Sequence, residues 1–442
     1  MTTRAVVMCG GGHGAYDIVR TLGRAGVASA VFVSQRDDIA FHSRYVRERV
    51  LLPEFREWNF DEILRIVGEF GSTCDERPVL FYSGDSETAF LSRHREMLGR
   101  HYRFLLPPQN VTEAVVSKAR FVDFARRTQL PVPWTRVFAD AAALAACADT
   151  LPLPCIVKPE FNQDWFWETH ELRRHFGEYK SALRRFDSAE SVRAFCARLP
   201  RSRNPLLAQA YIDGSDADLV SFHGYFDAAS RCLGQFLTRD IRKNPPGTGD
   251  TTYCETIRDD ALSSMSEACL ARIGFRGIVK IDYKWDAAAR AYRMLEIEPH
   301  YQTAHLLGAF GGVNLPLLAY RDARGEGRRA VDACGETPRA AGLVGPARRL
   351  LDLRQDVKSY WHGYRRTGEW RLARYILSLL RRHTHHRLVD VRDPAPFMRS
   401  IASYLLSRLR WPSRAERRAR DTEAGTTAHP TLENGVIPIG RG

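Results

Sequence analysis

The stretch that most constrains this chain runs from residue 277 to 305, GIVKIDYKWDAAARAYRMLEIEPHYQTAH. Val279, Ile281 and Tyr283 alternate with Lys280, Asp282 and Lys284. After a polar turn at 286–290, Leu295 and Ile297 alternate with Met294, Glu296 and Glu298. Strand side chains change face with period two. A hairpin pairing even with even therefore gathers Asp282, Glu296 and Glu298 on one surface. Two carboxylates about 4 Å apart repel by roughly 4 kcal/mol at an effective dielectric near 20. Such a face is either fully solvated or holds a cation. Carboxylate oxygens completed by nucleotide phosphate suit Mg²⁺, so the metal reading calls for phosphate-binding groups elsewhere in the chain.

The upstream sequence offers them. Cys155-Ile156-Val157-Lys158-Pro159 is an apolar strand ending in a lysine, and a lysine on a buried strand needs an anion to meet it. Lys118 lies on a helix expected over 112–128, where the alternative is a solvated surface charge. Residues 206–212 read as a strand closed by Asp213-Gly214, and 217–226 with 230–238 read as an antiparallel pair. Arg239, Arg242 and Lys243 then precede Pro245-Pro246-Gly247-Thr248-Gly249, a cationic segment suited to an anionic substrate or a transferring phosphoryl group. The alternative is an exposed basic turn. Residues 160–180 show little periodicity and read as a mobile loop.

The N-terminal part reads as parallel α/β: strand 4–9, a Gly10–Ala15 turn, a helix, and a strand at 29–34. Gly10-x-Gly12-x-x-Ala15 matches a dinucleotide fingerprint, but Ser34-Gln35-Arg36 stands where an acidic ribose ligand belongs. A nicotinamide-dependent enzyme is thus a minor alternative. Asp85 follows a third strand, 78–84, at the end where ligands of parallel sheets bind; it also suits the N-cap of a helix over 86–98.

At 442 residues the chain is expected to hold several domains. No CxxC pair and no signal-peptide layout are present, so a cytoplasmic setting is expected. The net charge of +13 is local. Residues 1–340 carry 45 Lys+Arg against 43 Asp+Glu, whereas 341–420 carry 19 against 6. Nucleic acid is therefore not an expected partner.

Taken in order, these motifs resemble the ATP-grasp superfamily, in its carboxylate–amine ligase branch of D-aspartate ligase-like and carbamoyl-phosphate-synthase-like proteins. The resemblance covers roughly residues 4–320. It implies an N-terminal parallel α/β domain (1–110) and an ATP-grasp domain of two sheets clasping ATP (111–325). Beyond it, charge and composition read as a basic helical C-terminal region (341–412) and a disordered tail (413–442). Lys118 and Lys158 resemble the nucleotide lysines. Gln209, Ala210, Tyr211 and Ile212 resemble the adenine-clamping linker, with Ala210 in place of the usual glutamate and Asp218 as a ribose contact. Asp282, Glu296 and Glu298 fall on the positions that hold Mg²⁺ or Mn²⁺. Arg239 and Arg242 resemble the catalytic arginines, Arg242 stabilising an acyl phosphate.

Glu296-Ile297-Glu298-Pro299-His300 departs from the family's Glu-Ile-Asn-Pro-Arg. His300 replaces a permanent bidentate cation, so substrate recognition there, with Asp85, is expected to differ and to titrate near neutrality. Lys280 is either a substitute cation or a local salt-bridge partner. The activity implied is ATP-dependent joining of a small carboxylate to an amine, releasing ADP and phosphate. The alternative is a nucleotide-binding protein without turnover. Helices expected at 369–382 and 397–410 are read as packing against the core, with peripheral membrane contact as the lesser reading.

Overall fold

The computed structural model describes residues 4–10, 13–160, 184–199, 205–247, 249–326, 343, 345–365 and 372–409. The chain divides into two compact units after Pro396, and the three sheets belong to the first. The expected loop at 160–180 and the tail at 413–442 fall essentially outside the described residues.

β1 (Ala5–Cys9), β2 (Ser29–Val33), β3 (Val46–Leu51) and β4 (Val79–Tyr82) form a parallel sheet in the order β3-β2-β1-β4. Every residue of β1 and β2 is buried, which is why both read as unbroken apolar runs: sheets of this kind are covered on both faces. Helix Gly14–Arg24 packs beside β1 and β2.

β5 (Thr135–Phe138), β6 (Cys155–Pro159), β7 (Arg184–Phe186) and β8 (Leu206–Ala210) make an antiparallel sheet in the order β5-β8-β6-β7. The largest sheet joins β9 (Leu219–Phe226), β10 (Cys232–Asn244), β11 (Asp250–Ile257), β12 (Gly277–Asp286), β13 (Ala291–Glu298), β14 (Arg349–Leu351) and β15 (Thr384–His386), in the order β13-β12-β9-β10-β11-β14-β15. Gly277 opens β12 with φ +87, and a Cβ there would stand 2.5 Å from the Leu105 carbonyl oxygen. Only glycine permits both the backbone angle and that approach.

The C-terminal segment is helical over Leu353–Ser359, Leu372–Leu379 and Ala395–Leu409, the last matching the helix expected at 397–410, and it also contributes strands. It adds β14 and β15 to the large sheet, β14 pairing antiparallel with β11. Asp393 ties it to the first sheet, accepting hydrogen bonds from the Ser43 hydroxyl and the Arg44 N–H. Within the expected helix 369–382, described residues 372–379 are helical, burying Tyr375 and Ser378 while Leu372, Ile376 and Leu377 stay exposed. That is not the single buried stripe the spacing implies. No helix among the described residues is long and apolar enough to cross a membrane.

Candidate nucleotide and metal site

The β12–β13 register is even with even: Lys280 pairs with Glu298, Ile281 with Ile297 and Asp282 with Glu296. Odd positions Ile281, Tyr283 and Ile297 go to the core. One carboxylate oxygen each of Asp282, Glu296 and Glu298 lies within 4.8 Å of the others. The alternation fails one step further on. Tyr283 pairs with Met294, leaving Leu295 as an extra residue. This bulge turns Met294 into the core and sends Leu295 toward the cavity beside Glu296.

Lys280 Nζ donates to Asp282 Oδ2 at 2.8 Å and Glu298 Oε2 at 2.9 Å; it is a salt-bridge partner of the cluster. Burial disfavours charge on Asp282, but the Lys280 ammonium and the Ser221 hydroxyl hold its carboxyl well below the usual range. Glu296 is pushed up to about 7, by burial first and then by the charges of Glu298 and Asp282. Lys280 thus bonds to two of the three carboxylates and, among the described residues, leaves Glu296 without an ammonium in hydrogen-bond contact, and the donor set fits a hard divalent cation.

Lys158 reaches the same cavity from β6. Its Nζ donates to Gln209 Oε1 at 2.9 Å, and the Gln209 amide nitrogen donates to the Thr135 hydroxyl at 3.1 Å. Burial lowers the Lys158 pKa against the opposing pull of Glu296. The helix expected over 112–128 is two helices, Gln109–Val116 and Lys118–Arg127, separated by an extended Ser117 (φ −92, ψ 118). The Ser117 hydroxyl accepts the Arg120 N–H and donates to Glu160 Oε1 at 2.6 Å. The break places Lys118 in the first turn of the second helix, lining the cavity with Lys158. A cation at that end opposes the helix dipole, so the position favours an anion nearby.

The cavity measures about 700 Å³ and is lined by all three carboxylates, both lysines and residues 209–212. The Ala210 N–H is bonded to the Trp134 carbonyl at 2.9 Å. One expectation about this region needs correction. Asp218 does not line the cavity: its Oδ2 accepts the Ser215 N–H and hydroxyl at 2.7 and 3.1 Å, closing a local cap instead of meeting a ribose.

The arginines are the larger correction. Arg242 is fully buried and faces away from the cavity. Its Nε and Nη2 donate to the two oxygens of Asp356 at 2.8 and 2.7 Å, its Nη1 donates to the Ser378 hydroxyl, and it stacks against Tyr253 and Tyr375. Arg239 pairs with Glu255 at 2.6 Å, also outside the cavity lining. Arg239 falls by alternation on the face opposite Thr238 and Asp240, which line the cavity; for Arg242 the cause is a double register shift in β10, between Asp240 and Arg242 and between Arg242 and Lys243. It delivers Lys243 to the cavity, beside Asp240 at 3.1 Å. Sequence reading named Lys243 only as a member of the cluster; nothing in the residue order marks a bulge there.

His300 is buried, and its Nε2 stands 3.3 Å from Asp85 Oδ1. Burial opposes its protonation, but Asp85 and then Glu298 outweigh that and raise the imidazole to about 9. The expected titration near neutrality therefore does not arise from this group. Helix Asp85–Arg93 is capped by Gly84, so Asp85 is its first residue and not its N-cap. At the N-terminal turn, the Gly10 N–H donates to Glu87 Oε1. A buried carboxyl beside this glycine is a poor neighbour for a dinucleotide pyrophosphate; Gly11 and Gly12 fall outside the described residues.

Two sheets flank one cavity, with Lys158 from the first, Lys118 from the helix Lys118–Arg127 and a carboxylate trio from the second, the arrangement that the resemblance to the ATP-grasp fold implies. No family model matches the chain. Over 271 residues it is 20% identical to a D-aspartate ligase of Enterococcus faecium, the match covering 59% of this chain and 62% of that protein, under two thirds of the relative's length. The L-amino acid ligase of Bacillus licheniformis shares the fold with a TM-score of 0.55 at 13% identity, over 74% of this chain and 76% of that one. The biotin carboxylase domain of Hydrogenobacter thermophilus 2-oxoglutarate carboxylase, crystallised with MgADP, ADP and bicarbonate, gives 0.56 at 14% identity, over 79% and 74%.

Proposed function

We propose that this chain is an ATP-dependent carboxylate–amine ligase that forms an amide or peptide bond through an acyl phosphate. The observation that carries the reading is the meeting of Lys118, Lys158 and the Asp282–Glu296–Glu298 trio in one cavity. The D-aspartate and L-amino acid ligases among its relatives support it. Lys118 and Lys158 would hold the nucleotide's phosphates, with residues 209–212 beside its base. Asp282, Glu296 and Glu298 would hold Mg²⁺ or Mn²⁺, which when bound supplies positive charge to phosphate oxygens.

The carboxylate substrate's oxygen takes the γ-phosphoryl group and ADP leaves. The free-base amine then attacks the acyl carbon and expels phosphate, losing its proton to solvent. Charge develops on the phosphoryl oxygens and then on the tetrahedral carbon's oxygen. Lys243, held by Asp240 and lining the cavity, takes the role that sequence reading gave to Arg242. His300, kept cationic by Asp85 but outside the cavity lining, would supply its charge through the neighbouring Glu298 and not by touching a substrate. No protein nucleophile is needed.

The test is to incubate the chain with Mg-ATP, candidate amino acids and hydroxylamine, which traps acyl phosphates as hydroxamates. ADP with a hydroxamate is expected. AMP with pyrophosphate would replace the acyl phosphate by an adenylate. Nucleotide binding without release, for any acid, would favour the non-catalytic alternative.

A further inference from the structure

Arg387 and Asp352 stand side by side where β14 and β15 end. The two strands run parallel with Leu350 opposite His385 and Leu351 opposite His386, so 352 and 387 follow on the next rung. The Arg387 N–H donates to the Leu351 carbonyl at 2.9 Å, which locks the pair in register. Both side chains line the 700 Å³ cavity.

Arg387 is only 8% exposed, and its Nε has no hydrogen-bond partner. Among the described residues its guanidinium makes no ion pair within 4 Å. Asp17, whose charge it feels, is bonded to Arg20 instead. Burying an unpaired charge costs several kcal/mol, and arginine cannot escape by losing its proton. The fold therefore keeps a cation that no anion among the described residues satisfies, at the wall of a cavity.

Asp352 complements it. It is 9% exposed; Oδ1 accepts the Gln355 N–H at 3.2 Å, while Oδ2 lies 3.9 Å from His13 Nε2. That imidazole does not neutralise it, since burial and the Arg387 charge press the His13 pKa down to about 4. An unmatched cation and a half-satisfied anion thus project from neighbouring strands. Such strands lie about 4.8 Å apart, a spacing that one small zwitterion spans.

We propose that Arg387 and Asp352 form a subsite for an α-amino acid, the guanidinium binding its carboxylate and the aspartate its ammonium. A guanidinium presents two parallel N–H groups to a carboxylate, so this end is the specific one. The inference rests on the ligase reading for what becomes of the bound molecule, and not for the binding itself.

The full chain, with Mg²⁺ and a non-hydrolysable ATP analogue, is titrated calorimetrically with the L- and D-amino acids. The tightest is then compared with its decarboxylated amine and its deaminated acid. The amino acid should bind at least tenfold more tightly than either analogue. Arg387→Gln should lose about tenfold to hundredfold in amino-acid affinity while its affinity for the amine analogue stays put. Asp352→Asn, which keeps the helix-capping oxygen, should lose preference over the deaminated acid only. Arg387→Met without ligand should melt at or above the wild-type temperature, because it removes an unpaired buried charge; a fall of several degrees would mean a structural arginine and overturn the proposal. So would an amine analogue that binds the wild type as well as the amino acid does, or no amino acid binding at all. Amino-acid binding that follows this pattern without ADP release from ATP would uphold the subsite and remove the ligase reading.

Discussion

The β12–β13 hairpin and strand β10 are separated in one sheet by a single strand, β9, and both carry alternating charges beside one cavity. The hairpin presents Asp282, Glu296 and Glu298 together, whereas β10 withdraws Arg239 and Arg242 and offers Lys243. Both contain bulges; their placement makes the difference. In the hairpin the register shift comes after the Asp282–Glu296 pair, so the carboxylates are already on one face. In β10 the shifts fall inside the charged segment, on either side of Arg242. The second difference is the supply of partners. Of the hairpin's lysines only Lys280 bonds to the carboxylate trio, while Arg242 meets Asp356 from 114 residues away. Charges that the fold pairs internally hold it together; those it leaves in excess are available to a ligand.

The strongest test of this contrast is Arg242→Met. Removing one member of a fully buried pair leaves Asp356 uncompensated and should cost about 3–5 kcal/mol in urea denaturation. The double variant Arg242→Met with Asp356→Leu should recover much of that loss, since the lone charge is gone. An Arg242→Met protein as stable as wild type but inactive would return this arginine to the chemistry.

Glu296→Gln should do the reverse. Its side chain is crowded by two like charges and pushed up to about 7, so the fold tolerates the amide well. Turnover, measured as ADP release, should fall ~100-fold or more, the scale of losing a group that supports charge transfer. Full activity would dissolve the metal assignment.

What sequence could reveal follows the same line. The carboxylate face, the strand lysine Lys158 and the covered parallel strands were legible because period-two patterning and apolar runs are local properties. The break at Ser117, the bulges and the Asp85–His300 pair were not, because each depends on a partner brought from elsewhere. His300 shows this best: alone it reads as a group titrating near neutrality, and only Asp85, 215 positions earlier, makes it a standing cation. Arg387 and Asp352 were missed because the basic excess of 341–420 reads as helix surface. Nothing local indicates that two three-residue strands carry them to a cavity.

A smaller effect separates the cations of β10. Lys243→Met should slow turnover about tenfold, below the hundredfold or more typical of an oriented oxyanion donor because Lys280 stays nearby. Arg239→Met, outside the lining and half exposed, should change turnover little. Equal losses in both would mean that the register shift does not sort them.

Glu87 tests the same rule with a charge that is buried, poorly paired and outside the cavity lining. It is 3% exposed, and Gly84 (φ +150) leaves room for it, since a Cβ there would stand 2.5 Å from Glu87 Oε2. Burial raises its carboxyl to about 7, against the opposing hydrogen bond from the Gly10 N–H. The folded pKa thus lies above the unfolded value near 4.5. Between pH 4.5 and 7 the folded state holds the extra proton, so stability falls as pH rises through that window and levels off above it. Glu87→Gln keeps the acceptor for Gly10 and cannot ionise. Wild type should therefore lose about 2 kcal/mol relative to the variant between pH 5 and pH 8, because each pH unit inside that window is worth at most about 1.4 kcal/mol. All other titrations cancel in the difference. ADP release at pH 8 should be the same in both, because this charge faces no ligand. A pH-independent stability difference would show that Glu87 ionises freely in the fold. A drop in turnover at constant stability would place Glu87 among the charges the fold holds for a substrate.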